Sequence, residues 1–255
     1  MKIVAIIQAR MGSTRLPGKM MMMIAGKPVI QHVFERVIKS ELVDEVWLAT
    51  TTNTEDDVLA EWASRRGIMC YRGSNGDVLD RYYQASRLAQ ADAVVRVTGD
   101  CPLIDPQVID QAISLYRSHG FVYVSNSCPP TYPDGLDVEV FSAKTLNRAW
   151  TEASLASERE HVTPYIWKHP ELFQLGNLVF TQDLSHYRWT LDTLEDFDFI
   201  KLVVEACAVK KGYSGMNDIL SLLKEHPGWV YINGHYNRNE GYIRSLKSDE
   251  DTLSS

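Results

Sequence analysis

Residues Ile3-Val4-Ala5-Ile6-Ile7 form an uninterrupted apolar run, and Gln8-Ala9-Arg10-Met11-Gly12-Ser13-Thr14-Arg15-Leu16-Pro17-Gly18-Lys19 follows it directly. Such a run is typical of a strand that is buried on both faces of a parallel sheet. The loop after it combines three cations with two glycines, so that side-chain and backbone donors can approach an anion closely. We predict that this loop binds a polyphosphate; the alternative is a solvent-exposed basic turn.

The loop differs from two familiar nucleotide-binding loops. A Walker loop has four residues between its glycines and Ser or Thr after its lysine. Here five residues separate Gly12 from Gly18, and Met20 follows Lys19. The dinucleotide fingerprint G-x-G-x-x-G is also absent from the sequence. The sequence therefore lacks the motifs that would identify a P-loop ATPase or a dehydrogenase.

Composition indicates an ordinary globular protein with a small anionic ligand. The 255 residues are 45% hydrophobic, and 26 basic against 33 acidic residues give a net charge of -7. This balance argues against nucleic-acid binding, which favours a broad basic surface. The four scattered cysteines contain no C-x-x-C pair, and the first apolar run is too short for a signal peptide or a membrane span. We expect a cytoplasmic protein without membrane insertion.

Strand-like and helix-like segments alternate in the first half of the chain. Strands are predicted at 3–7, 46–51, 68–71 and 93–98, and helices at 29–39, 55–66, 78–91 and 106–119. This alternation predicts an α/β fold with a mainly parallel sheet and right-handed crossovers. Ligands of such sheets bind at the carboxyl ends of the strands, so the Arg10–Lys19 loop and Gly99-Asp100 should converge.

The second half is less regular, and we expect an inserted α+β subregion at 121–190 within a single domain of residues 1–244. A strand is predicted at 136–141 with Asp137 and Glu139 on one face, and antiparallel strands are predicted at 173–180 and 187–191. Ser157 and Glu160 resemble a capping box, and Pro164 should shorten the helix after them. Helices are predicted at 194–209 and 216–226. Residues 245–255 are predicted to form a flexible tail.

The Arg10–Lys19 loop, which we call the phosphate loop, and several later segments together resemble one family, the cytidylyltransferases. These segments are Asp77-Val78-Leu79-Asp80-Arg81-Tyr82, Arg96-Val97-Thr98-Gly99-Asp100-Cys101-Pro102-Leu103-Ile104, Asp134-Gly135-Leu136-Asp137-Val138-Glu139, Ser157-Glu158-Arg159-Glu160-His161-Val162-Thr163-Pro164 and Leu191-Asp192-Thr193. The chain is similar to 3-deoxy-manno-octulosonate and acylneuraminate cytidylyltransferases, and most of all to the spore-coat polysaccharide biosynthesis protein F group. The resemblance implies a three-layer, Rossmann-like nucleotide-diphospho-sugar transferase fold and a homodimer. The interface is expected in 121–190.

The resemblance also implies an activity, the transfer of CMP from CTP to a sugar or sugar acid for a surface polysaccharide. Charge builds on the phosphates and on the departing pyrophosphate in this reaction, so the site needs cations and a Mg²⁺ ion. Mg²⁺ is held by one or two carboxylates together with phosphate oxygens and water. In the family these carboxylates correspond to Asp100 and Asp192. The alternatives are a simple turn residue for Asp100 and a helix N-cap for Asp192.

The nucleotide site is predicted from the loop chemistry and from the resemblance. Lys19, Arg10 and Asp100 are the predicted catalytic residues, and Arg10, Arg15 and Lys19 should hold the triphosphate. The resemblance places the region 72–81 near the base and the ribose; an exposed helix start with a salt bridge is the alternative. The full nucleotide-binding set is Gln8, Ala9, Arg10, Gly12, Ser13, Arg15, Lys19, Arg72, Asp77, Asp80 and Arg81.

The acceptor is expected to contact a second group of side chains, namely Asp134, Asp137, Glu139, Arg159 and His161. Arg159 and His161 are assigned to a carboxylate or to hydroxyls of the acceptor, although a lone histidine in a helix is as often structural. The general base could be Asp100, another carboxylate or a metal-bound hydroxide. The pattern at 72–81 departs from that of the octulosonate enzymes, which predicts a different acceptor.

Two other functions are alternatives to the cytidylyltransferase hypothesis. A glycosyltransferase of the same fold would use a nucleotide sugar and a D-x-D motif, which Asp137-Val138-Glu139 imitates loosely. A non-catalytic nucleotide-binding module would not need Lys19, Asp100 and Asp192 together. The triphosphate-type loop and these three residues favour the transferase.

Overall fold

A seven-stranded mixed sheet crosses the middle of the computed structural model, which describes residues 1–209 and 214–253. The strands, with β2 and β3 forming a separate hairpin, are β1 Ile3–Gln8, β2 Met23–Ile24, β3 Lys27–Pro28, β4 Glu45–Thr51, β5 Met69–Gly73, β6 Ala93–Thr98, β7 Tyr123–Ser125, β8 Glu139–Ser142 and β9 Leu175–Asn177. The order across the sheet is β5-β4-β1-β6-β8-β7-β9. Strand β8 is antiparallel to both of its neighbours, and the other pairs are parallel.

Helices cover both faces of this sheet. They are α1 Val29–Val37, α2 Asp57–Ser64, α3 Val78–Leu88, α4 Pro106–Ser118, α5 Ala143–Glu152, α6 Ala156–His161, α7 Pro164–Trp167, α8 Leu194–Val209, α9 Met216–Glu225 and α10 Glu240–Leu253. Strand β1 shows the layering, because Ile3, Ala5 and Ile7 belong to one apolar core and Val4 and Ile6 to the other. A strand that is buried on both faces cannot alternate with polar residues. The predicted three-layer α/β fold is confirmed.

The carboxyl ends of β1 and β6 meet, as predicted. Gln8 lies opposite Thr98 in the parallel ladder, so the phosphate loop and Gly99-Asp100 leave the sheet side by side. A Cβ at Gly99 would lie 2.9 Å from the Cβ of Ala9 and 3.0 Å from the main-chain oxygen of Gln8. Glycine is therefore required where the two loops touch, since both obstacles are rigid.

The predicted antiparallel additions are wrong in their pairing. Strand β9 joins β7 in parallel, and residues 187–191 form no strand. Instead Asp134 donates its N–H to the carbonyl of Tyr187 (2.9 Å) and accepts from the N–H of Trp189 (2.6 Å). An alternating apolar pattern indicates an extended segment, but it does not identify the partner strand.

Two local predictions around α6 have different outcomes. The capping box is formed by Glu158, whose Oε2 accepts from the N–H of Leu155 (3.3 Å), so the box predicted at Ser157 and Glu160 is wrong. The shortening by Pro164 is confirmed, because α6 ends at His161 and Pro164 begins the separate helix α7. The strand predicted at 136–141 begins only at Glu139, which leaves Asp137 in the loop before it.

The predicted flexible tail is wrong for residues 245–253, which belong to helix α10. Asp249 is buried and accepts a hydrogen bond from the main-chain N–H of Ser157 (3.1 Å). This long-range contact explains why a polar sequence is helical here. Ser254 and Ser255 lie outside the described residues. Over the described part of the chain, no helix is both long and apolar enough to span a bilayer.

Candidate active site

Lys19 lies at the centre of the site, with only 7% of its side chain exposed. Gly18 adopts a left-handed conformation (φ 75°) that turns the phosphate loop back toward the sheet, and Lys19 follows it. The Lys19 Nζ donates to Asp100 Oδ2 (3.1 Å), Asp192 Oδ1 (2.8 Å) and the carbonyl oxygen of Leu191 (2.7 Å). Three acceptors match the three hydrogens of an ammonium group, so the side chain is fully satisfied.

This arrangement raises the pKa of Lys19 and lowers the pKa of Asp100, so it favours the charged form of both groups. Burial alone would lower the pKa of Lys19, but the charges of Asp100 and Asp192 raise it above its usual value. Burial would likewise raise the pKa of Asp100, but the Lys19 ammonium holds it below its usual range. Lys19 is therefore cationic and Asp100 anionic at neutral pH.

Main-chain hydrogen bonds hold Asp100 and Asp192 next to each other. The N–H of Leu191 donates to the carbonyl of Asp100 (2.8 Å), which joins two segments that are distant in the sequence. Asp192 is not the N-cap of α8, because Thr193 Oγ1 accepts from the N–H of Asp196 (3.2 Å) and caps the helix instead. The Asp192 carboxylate is thus free of capping and binds Lys19 and Arg15.

Sequence reasoning missed a buried pair that supports Asp192. Arg188 makes a two-pronged ion pair with Asp196, with N–O distances of 2.8 Å on both prongs. Asp196 Oδ2 also accepts from the main-chain N–H of Asp192 (2.9 Å), which fixes the turn before α8. The spacing Thr193-x-x-Asp196 is a capping-box signal that could have identified Asp196. No local signal identifies Arg188.

The chemistry of Asp100 and Asp192 fits a Mg²⁺ ion. Their carboxylates approach one cation from two sides, and Mg²⁺ needs only one or two carboxylates when phosphate oxygens and water complete its shell. A closed cage of three or more His, Cys, Asp or Glu ligands does not occur among residues 1–209 and 214–253. The site therefore suits a cation that arrives with a phosphate ligand.

The other loop residues lie at the same edge of the sheet. Arg10 is half-exposed and donates to Asn75 Oδ1 (2.9 Å), while Ala9 is buried against Gly99. Gly12 leaves room for Glu55, since a Cβ there would lie 2.5 Å from Glu55 Oε1. Gln8 and Ser13 are the other predicted loop residues. Gln8 has a buried Oε1 without a partner among the described residues. Ser13 Oγ accepts from the N–H of Leu16 (3.4 Å).

The predicted base and ribose region is held mostly by contacts within the protein. The buried Arg81 donates to the carbonyls of Ser74 and Asn75, and Arg72 donates to the carbonyl of Thr51 (2.8 Å). Arg81 therefore shapes the turn beside Arg10, whereas Arg72 holds the end of β4. Two further contacts serve the same region: Asp77 caps α3 at the N–H of Asp80 (2.8 Å), and Asp80 Oδ1 accepts from the indole N–H of Trp150 (2.9 Å).

Two of the predicted acceptor-binding residues, Asp134 and Asp137, adjoin Asp100. Burial, followed by the charge of Asp137, raises the pKa of Asp134 to about 7, with a smaller contribution from Asp100. Arg188 lies 3.4 Å from Asp134, and Arg238 pairs with Asp137. These two acids are the members of the acceptor set that the fold brings to the Lys19 centre.

The other three predicted acceptor residues, Glu139, Arg159 and His161, contact groups away from the Lys19 centre. Glu139 is buried, and its two oxygens bind Arg96 and the hydroxyls of Tyr123 and Thr163. Arg159 donates to Asp77 Oδ2 (2.5 Å) and to the carbonyl of Trp150 (2.7 Å). Burial lowers the pKa of His161 to about 4, so its ring is neutral at pH 7. The contacts of Arg159 and His161 do not favour the capture of an acceptor carboxylate.

The raised pKa of Asp134 gives a prediction for stability. The folded protein keeps the Asp134 proton up to about pH 7, whereas the unfolded chain releases it near the ordinary aspartate pKa of 3.8. The folded state then binds more protons between these values, so the free energy of unfolding should fall as the pH rises from 4 to 7. Asp134→Asn should remove this fall, which is at most ~4 kcal/mol.

Urea unfolding of the wild type and Asp134→Asn at pH 4.5 and 7.5 measures the difference. The exposed Asp183 provides the control Asp183→Asn, which should keep the wild-type dependence. An identical pH dependence in wild type and Asp134→Asn would show that Asp134 titrates normally.

Comparisons with known proteins show which family the chain resembles. The cytidylyltransferase family model matches residues 4–223. Spore coat polysaccharide biosynthesis protein SpsF from Bacillus subtilis is 32% identical over 234 residues, which cover 88% of this chain and 95% of that protein. A 3-deoxy-manno-octulosonate cytidylyltransferase from Trichlorobacter lovleyi is 44% identical over 113 residues, which are 44% of each chain.

A solved structure extends the agreement to the fold. The structure of a cytidylyltransferase from Leptospira borgpetersenii serovar Hardjo-bovis is 32% identical, covers 93% of this chain and 100% of its own, and superposes with a TM-score of 0.85. The resemblance noted in the sequence is confirmed. With its Lys19-centred site and a family match over most of its length, the chain belongs to the cytidylyltransferase family of nucleotidyltransferases.

Proposed function

We propose that the protein transfers CMP from CTP to a sugar or sugar acid, depends on Mg²⁺ and releases pyrophosphate. The observation that carries this proposal is the Lys19 ammonium between the carboxylates of Asp100 and Asp192. Cations for a triphosphate and carboxylates for its metal meet there at the end of β1 and β6. Membership of the cytidylyltransferase family supports CTP as the donor.

The reaction needs few groups from the protein. An acceptor hydroxyl oxygen bonds to the α-phosphorus and loses its proton, while the bond from that phosphorus to the bridging oxygen breaks and pyrophosphate leaves. Lys19 and Arg15 hold the triphosphate oxygens and offset the charge that builds on them. Asp100 and Asp192 would hold Mg²⁺, which supplies further positive charge to the phosphates.

The contacts of the remaining residues support narrower roles. Arg10 would hold the triphosphate together with Lys19 and Arg15. The turn at 74–77, where Asn75 accepts from Arg10, would contact the ribose or base, with Arg81 holding the turn in place. Asp134 and Asp137 would receive acceptor hydroxyls. By analogy with the Bacillus subtilis relative, a spore coat polysaccharide biosynthesis protein, the product would serve polysaccharide synthesis. The cytoplasmic location stays a prediction. A homodimer that pairs through 121–190 also stays a prediction, and light scattering can test whether the protein is dimeric.

The contacts of Asp137-Val138-Glu139 argue against the glycosyltransferase alternative. A metal-binding D-x-D motif presents both acids to one ion. Here Asp137 pairs with Arg238, whereas Glu139 is buried against Arg96 and two hydroxyls. Glu139 would have to leave buried partners to bind a metal, which is costly.

Calorimetry of nucleotide binding tests the proposal without knowledge of the acceptor. CTP, UTP, ATP, GTP and dTTP are titrated into the protein with and without Mg²⁺. We expect tighter binding of CTP than of the other four, and a further gain with Mg²⁺. Preference for another triphosphate would overturn the choice of donor. Failure of all five to bind would overturn the proposed reaction.

A further inference from the structure

The C-terminal strap, residues 233–249, contacts the site although it lies beyond the family match, which ends at residue 223. Its contacts are Asn233 with Asp196 (2.8 Å), Arg238 with Asp137, Glu240 with Arg15 (2.7 Å), Ser245 with His161 (3.0 Å) and Asp249 with the N–H of Ser157 (3.1 Å). The strap therefore reaches the phosphate loop, the acids near Asp100 and helix α6.

We propose that Glu240 sets the affinity of the site for triphosphate by holding Arg15 in the ligand-free protein. This inference rests on the proposed function only for the use of Arg15 as a triphosphate ligand. It concerns a residue that the phosphate-loop sequence gives no reason to single out, because 225 positions separate Glu240 from Arg15.

Arg15 is held by two carboxylates at once. Its Nη1 lies 2.7 Å from Glu240 Oε2, and its Nη2 lies 2.8 Å from Asp192 Oδ2. Both terminal nitrogens of the guanidinium are thus occupied by protein acids. A phosphate that takes both terminal nitrogens through two parallel hydrogen bonds competes with these acids for the same fork.

Glu240 is the partner that can leave. Asp192 is tied to Lys19 by its side chain and to Asp196 by its main-chain N–H, so its position is fixed. Glu240 is the first residue of α10, and 32% of its side chain is exposed. Its Oε1 also accepts from the N–H of Asn237 (3.2 Å), an exposed hydrogen bond that water can replace. Rotation into water costs an exposed carboxylate little, since a partly exposed ion pair contributes only about 0–1 kcal/mol.

Glu240 also opposes the ligand through its charge. A carboxylate beside Arg15 lies next to the position that a triphosphate would take, and like charges that close repel each other. Binding therefore has to break the Glu240–Arg15 pair and bear this repulsion. Without the carboxylate, both costs disappear while Arg15 keeps its bond to Asp192.

The test is the dissociation constant of Glu240→Gln for CTP with Mg²⁺ and for inorganic tripolyphosphate. We expect about 3- to 10-fold tighter binding of both ligands, and a smaller gain at high salt. Glu240→Asp should remain close to wild type. Ser245→Ala is the matched control, because it breaks a contact of the same helix without touching Arg15.

A double-mutant cycle separates release of Arg15 from a general effect on α10. In an Arg15→Gln background, Glu240→Gln should tighten binding less than in the wild type, because only the repulsion is relieved and the guanidinium that it would release is absent. Unchanged or weaker binding by Glu240→Gln, or an equal gain in the Arg15→Gln background, would overturn the inference.

The two ligands distinguish this failure from failure of the proposed function. If the wild type binds CTP and Glu240→Gln binds no better, only the role of Glu240 is lost. If Glu240→Gln tightens tripolyphosphate but no CTP preference exists, Glu240 keeps its role and the choice of donor is lost.

Discussion

Lys19→Met should lower kcat/KM for CTP by about 10³-fold. The substitution keeps most of the length of the side chain but removes a buried ammonium that binds Asp100, Asp192 and the carbonyl of Leu191. Two effects combine, because the triphosphate loses a cation and the two carboxylates lose the group that holds them together. Pyrophosphate release in steady state, once an acceptor has been found, measures the loss.

The same variant should be less stable, and more so at pH 7 than at pH 4. In the wild type the Lys19 ammonium outweighs burial and lowers the pKa of Asp100. Without the ammonium, burial is left to raise this pKa, so the variant loses stability as the pH rises above the ordinary Asp pKa. Lys27→Met removes a half-exposed lysine that pairs with Glu35 (2.7 Å) and should leave turnover unchanged. Equal turnover in Lys19→Met and Lys27→Met would rule out the proposed centre.

Asp100→Asn should abolish the Mg²⁺-dependent part of CTP binding and lower turnover by about 10²- to 10³-fold. The amide keeps the size of the carboxylate but not its charge, and it is a poor ligand for a hard cation that prefers anionic oxygen. The main-chain contact of Asp100 with Leu191 is unaffected by this change. Calorimetry with and without Mg²⁺ therefore separates loss of the metal from loss of the fold.

Asp192 offers an internal check of this assignment. If Asp100 and Asp192 hold one ion, Asp192→Asn should have a similar effect, and the double variant should be little worse than either single one. Asp183→Asn on the exposed surface should match the wild type. Mg²⁺-dependent binding that persists in Asp100→Asn would remove Asp100 from the metal site.

The first half of the fold was predictable because its signals are local. Apolar runs such as Ile3-Val4-Ala5-Ile6-Ile7 require burial on both faces, and each is followed by a helix-length amphipathic segment. The edge of the sheet that carries the site then follows from parallel pairing alone. For the same reason, Lys19 and Asp100 could be assigned to one crevice without coordinates.

The contacts of the second half depend on residues that are far apart in sequence. The polar sequence 245–253 has no apolar pattern that predicts packing, yet Asp249 is buried against the N–H of Ser157. Arg159 looked available for an acceptor carboxylate until α3 and α5 brought Asp77 and Trp150 to it. A cation that the sequence suggests is available for a ligand can thus already be paired with a residue that only the tertiary structure brings close.

The hydrogen bond from the Leu191 N–H to the Asp100 carbonyl has a consequence for how such a site can diversify. It sets the spacing of Asp100 and Asp192 through main-chain atoms, which every substitution except proline at 191 preserves. Neighbouring side chains can therefore be exchanged without changing the spacing of Asp100 and Asp192. A new acceptor preference can be selected by changing these neighbours while the phosphate chemistry stays as it is.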